Sequence, residues 1–90
     1  MRLTSELGPE REVAAPADLA TAFAAGGFGE FVQLGKSDDD FLEAVAGYRG
    51  ADLYYLQWWN PAWPAMRAAR QRLTLADVHA AFAGYLAGAD

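Results

Sequence analysis

Ninety residues with a formal charge of −5 and no cysteine suffice for one domain but not for two independent cores. They exclude a disulfide framework, a thiolate metal centre and a cysteine nucleophile. The apolar share of 53% is globular, yet 20 of those residues are alanine and none is isoleucine, so core bulk must come from leucine and from twelve aromatics.

Charge is unevenly placed. Residues 1–60 hold ten acids against four bases, a balance of −6, while two acids and three arginines give residues 61–90 a balance of +1. An acidic surface repels phosphate backbones and attracts basic proteins, which disfavours nucleic acid and favours a protein partner. The opening Met1-Arg2-Leu3-Thr4-Ser5-Glu6 lacks the apolar segment of a signal peptide. No apolar run approaches the roughly 18 residues of a membrane span, so a cytoplasmic protein without membrane contact is expected. Abundant alanine, glycine, arginine and aspartate beside a single lysine, Lys36, suit a bacterium with a GC-rich genome.

Residues 1–10 give no assignable element. Arg11-Glu12-Val13-Ala14 suits a short first strand ended by Pro16, a residue favoured at the first position of a helix because its missing N–H has no partner there. From Pro16 to Ala25, Leu19, Ala22 and Phe23 recur at helical spacing, and Gly26-Gly27 offers a left-handed stop. Phe28 to Leu34, bulky residues between Gly27 and Gly35, reads as a strand.

Asp40 to Ala46 supports two readings. Ser37 and Asp40 have capping-box spacing, and Phe41/Val45 and Leu42/Ala46 are i,i+4 pairs ending at Gly47, all features of a short helix. A hairpin strand is the alternative. Asp52 to Trp59 is the clearest strand, apolar on both sides, and is broken by Asn60-Pro61 and Trp63-Pro64. Met66 to Leu73 fits either a short strand or a helical turn. The C-terminal helix is the best specified. Thr74 is its N-cap, Asp77 stands three residues on, Leu73 and Val78 occupy staple positions, and Leu75, Val78, Phe82, Tyr85 and Leu86 make one apolar face before Gly88.

Few residues suggest chemistry. His79, the only histidine, has no identifiable nucleophile or orienting partner and reads as a solvated helix residue. Asp38-Asp39-Asp40 brings three carboxylates together but lacks the D-x-D-x-D-G spacing and twelfth-position glutamate of a calcium loop. It reads as a solvated turn that also offers an acidic patch. Arg67, Arg70 and Arg72 suit a phosphate or carboxylate, but no glycine-rich loop accompanies them. Neither an enzymatic activity nor a cofactor or metal is expected.

Five of the twelve aromatics, Tyr54, Tyr55, Trp58, Trp59 and Trp63, fall within ten residues. Strand alternation sends Tyr54, Leu56 and Trp58 to one side and Leu53, Tyr55, Gln57 and Trp59 to the other. One side must serve the core, and the less covered one is the candidate interface. The candidate partner-binding set is Asp38, Asp39, Asp40, Glu43, Tyr54, Trp58, Trp59 and Trp63. In a rival arrangement the aromatic strand pairs with itself in a homodimer, and an enzyme or small-ligand binder that uses the arginine group, Arg67 above all, with His79 is a further alternative.

The run Phe31-Val32-Gln33-Leu34, the turn Asp38-Asp39-Asp40, Phe41-Leu42-Glu43-Ala44, the strand Tyr55-Leu56-Gln57-Trp58, and Leu73-Thr74-Leu75-Ala76-Asp77-Val78 with Phe82 and Tyr85-Leu86 together resemble small bacterial immunity proteins of polymorphic toxin systems. The likeness spans about residues 28–88, and Trp58-Trp59-Asn60-Pro61 departs from its pattern. It implies that residues 41–44 form the second arm of a hairpin and that the protein neutralises a toxin. The expected fold is α+β: an antiparallel sheet of three to four strands packed by a C-terminal and an N-terminal helix.

Overall fold

The computed structural model describes residues 1–46, 53–60, 62, 67–68 and 73–88, with 67–68 as backbone. Among them are strands β1 (Arg2–Ser5), β2 (Arg11–Glu12), β3 (Phe31–Ser37), β4 (Asp40–Ala46), β5 (Tyr54–Trp59) and β6 (Arg67–Ala68), with helices α1 (Pro16–Ala25) and α2 (Leu75–Leu86). The strands form one antiparallel sheet in the order β2-β1-β3-β4-β5-β6. The α+β class and the antiparallel sheet match expectation, whereas the described residues alone contain six strands rather than three to four.

The strand expected at Arg11–Ala14 is β2, confined to Arg11–Glu12 and second in chain order because β1 precedes it, and the outer strands are short. β1 has four residues and β2 and β6 have two each, and short edge strands limit unwanted sheet pairing. In β1 only Leu3 is buried, and polar Arg2, Thr4 and Ser5 around it leave too little alternation to reveal a strand. β3 begins at Phe31 rather than Phe28, because Gly29 turns the chain at φ +84°. A Cβ there would meet Glu6 and Leu7 side chains, in a conformation that L-residues disfavour.

Residues 40–46 are a strand, not a helix. Leu42 pairs with Leu34, Ala44 with Val32 and Val45 with Phe31 across the β3–β4 hairpin. The i,i+4 pairs that suggested a helix fit a strand equally, since a separation of four returns a side chain to the same face at either period. The strand expected from Asp52 begins at Tyr54; Asp52 itself lies outside the described residues. In the ambiguous stretch 66–73, β6 and a bridge from Leu73 to Tyr54 are strand-like, and the remainder lies outside the described residues.

Both helices start at defined caps. Asp18 accepts from the backbone N–H groups of Ala14 and Ala15 at 2.9 and 3.0 Å, with Pro16 in the first turn of α1. At α2 the Thr74 hydroxyl accepts from Asp77 N–H at 3.2 Å, and the Asp77 carboxylate accepts from Thr74 N–H at 3.0 Å. Each arrangement satisfies backbone donors that the helix cannot.

The core lies on one side of the sheet. Leu3, Val32, Leu34, Leu42, Ala44 and Leu56 meet Leu19, Ala22 and Phe23 of α1 and Val78 and Phe82 of α2. Phe23 sits between the helices, edge-on to Phe28 and Phe82 at ring centroid distances of 5.2 and 5.6 Å. Aromatic rings thus supply the bulk that an alanine-rich composition lacks. Among the described residues no helix is long and apolar enough to cross a membrane.

Candidate functional site

The side of the sheet that carries no helix among the described residues, called the helix-free face below, is the candidate site. Antiparallel register aligns its side chains in three rows. Thr4, Gln33, Glu43 and Gln57 form a polar central row. Phe31, Val45 and Tyr55 flank it on one side, and Gly35, Phe41 and Trp59 on the other, a row that continues across β1 and β2 to Arg2 and Glu12. None of these residues is buried; Tyr55 is 37% and Trp59 41% exposed. Inside the polar row, Gln57 Nε2 donates to Glu43 Oε1 at 2.6 Å.

Gly35 shapes one end of this face. A Cβ at that position would come within 3.0 Å of Phe41 Cβ, next to a register shift between Gly35 and Ser37. Its missing side chain lets Phe41 lie across β3 at the irregularity that leads into the acidic turn.

The eight candidate residues from sequence do not share one surface. Glu43 and Trp59 lie on the helix-free face. Tyr54 and Trp58 lie on the opposite side, half-buried against the core. Asp38 and Asp39 are exposed in the β3–β4 turn, where Asp39 N–H donates to Ser37 Oγ at 3.3 Å. Trp63 lies outside the described residues.

Asp40 begins β4, and its role differs from that of its two neighbours. Its Oδ1 and carbonyl oxygen lie 2.7 and 2.9 Å from the Tyr85 hydroxyl, which donates to them. Burial, followed by this carboxylate, pushes the Tyr85 phenol above its ordinary value of 10.0, against an opposing backbone contribution from Lys36. Lys36 Nζ stands 5.3 Å from the centre of the same ring. Sequence did not single out Tyr85 for this position; it stood among the apolar helix face and the residues of the family resemblance, with no link to Asp40.

A cleft of about 340 Å³ opens beside this group, lined by Lys36, Asp40, Trp58, Trp59, Asn60 and Tyr85 among others. His79 does not line it. The imidazole is half-buried and stacks on Phe23, with centroids 4.7 Å apart and planes 8° from parallel. It is a packing contact between the helices rather than a solvated side chain. The Arg67 side chain, Arg70 and Arg72 lie outside the described residues. Among the described residues no group of three histidine, aspartate or glutamate side chains is placed to hold a metal ion.

Tyr55 and Gln57 belong to the open face although neither is in the partner-binding set of eight. Their signal was the alternation along β5, which already separated Tyr55, Gln57 and Trp59 from Tyr54, Leu56 and Trp58. What the sequence lacked was which of the two sides the helices cover. Compared with protein-family models, curated proteins and solved structures, the chain matches none.

Proposed function

We propose that this chain is a protein-binding module of the toxin-neutralising type, acting in the bacterial cytoplasm through the helix-free face of its sheet. The observation that carries the reading is the exposure of Tyr55 and Trp59 beside a central row that contains Glu43. A sheet face with no helix over it among the described residues, with exposed aromatic rings around Glu43 and the charged Arg2 and Glu12 confined to the β1–β2 end, has the aromatic centre and polar rim of an interface. Rings anchor through desolvated area at small entropic cost, and acids around them raise the encounter rate of a basic partner. Asp38 and Asp39, exposed at the hairpin tip, serve steering. Tyr55 and Trp59 serve anchoring.

Affinity capture from the native cell, with the wild type compared against a Tyr55→Ala/Trp59→Ala double variant, tests the reading. A basic protein identified on the wild type and lost from the folded double variant is expected. An identical protein set on both would contradict it. The cleft beside Tyr85 favours a second reading, a small-ligand site, because about 300–1,000 Å³ is the size range of such pockets. A small molecule retained through native purification and displaced by Trp58→Ala would favour that reading instead.

A further inference from the structure

We infer that Glu43 is the seat for an arginine side chain of a basic partner, held between the two aromatic rows. The inference rests on the protein-binding reading and specifies the partner's chemistry. Glu43 lies on the central strand β4, in the middle row of the open face. Phe41 and Val45, two positions away on the same strand, lie about 7 Å to either side. Tyr55 and Trp59 are the diagonal neighbours across the β4–β5 ladder, about 7–8 Å away and within reach of long or aromatic side chains. The carboxylate therefore has a ring-bearing row on each side.

Its partner within the sheet is uncharged. Gln57 donates to Oε1, and among the described residues no ion pair engages Glu43. A planar guanidinium suits such a place better than an ammonium, because it pairs with a carboxylate through a fork of donors and stacks on aromatic faces. The net charge of −5 complements a basic protein. A second copy stacked face to face would carry that same charge and bring two Glu43 carboxylates towards one another. Self-pairing through the backbone of β5 is also closed, since β4 flanks one side and β6 and Leu73 engage the other.

The experiment titrates the purified chain with hexa-arginine amide. It follows the side-chain amide of Gln57 and the indole N–H of Trp59 by NMR. Saturable shifts at both groups are expected, with affinity at least about tenfold weaker in Glu43→Gln and less than threefold changed in Asp38→Asn/Asp39→Asn. Hexa-lysine amide is expected to bind more weakly than hexa-arginine. Glu43→Asp retains the charge, so it should bind more tightly than Glu43→Gln and guards against a folding artefact. Shifts confined to Asp38 and Asp39, equal binding by Glu43→Gln, or a peptide-independent dimer would overturn the inference. If Glu43→Gln binds like the wild type while Tyr55→Ala/Trp59→Ala still loses its captured protein, only the arginine seat is wrong; if the double variant also keeps that protein, the face itself is excluded.

Discussion

The Tyr85 hydroxyl lies 2.7 Å from Asp40 Oδ1, joining the last turn of α2 to the start of β4 across 45 residues of chain. This contact uses a carboxylate that the sequence groups with Asp38 and Asp39. It fixes the helix against the hairpin below the acidic turn, with Lys36 Nζ over the ring.

Tyr85→Phe should therefore lower stability by about 1 kcal/mol, the usual net value of one hydrogen bond, measured by urea denaturation at neutral pH. The pH dependence has a definite sign. Because the folded phenol titrates above its ordinary value of 10.0, its contribution is complete below pH 10 and is lost as pH rises toward the folded value. The wild type should accordingly lose its advantage over Tyr85→Phe in the alkaline range and keep it at neutrality.

Asp18 gives the opposite dependence. Hydrogen bonds from Ala14 and then Ala15 hold its carboxyl below its ordinary value of 3.8. A depressed folded value stabilises above the unfolded value and stops doing so as pH falls through the folded one. Asp18→Asn should lower the thermal midpoint at pH 7, and the difference from wild type should shrink below about pH 3.8 as both forms become neutral.

Phe82 and Trp59 separate packing from recognition. Phe82 is fully enclosed, whereas Trp59 is 41% exposed on the open face. Phe82→Ala should cost about 3–5 kcal/mol in chemical denaturation. Trp59→Ala loses mainly its cross-strand pairing with Phe41, about 0.2–1 kcal/mol, and should unfold close to the wild type. A large loss from Trp59→Ala would mean that this ring belongs to the core.

Local signals in the sequence carried most of the architecture. Thr74 with Asp77, Pro16, and the Gly26-Gly27 stop delimit both helices because capping depends on neighbours in the chain. β1 was illegible, since four residues around a single buried Leu3 form a strand only by pairing between β2 and β3, the latter some thirty positions away. The same dependence on distant pairing divided the candidate site. Alternation put Trp58 and Trp59 on opposite faces, but only the docking of α1 and α2 determined which face remained open. Tyr85 and Asp40 could not be linked from sequence, because their contact is made solely by that docking.

Site-specific photo-crosslinking in the native cell tests the central claim most directly, with p-benzoylphenylalanine placed at Trp59 on the open face or at the exposed helix positions Ala20 and Ala80. A crosslink to a basic protein from position 59, and none from 20 or 80, is the predicted result. Crosslinks from the helix positions with none from 59 would contradict the assignment of binding to the helix-free face.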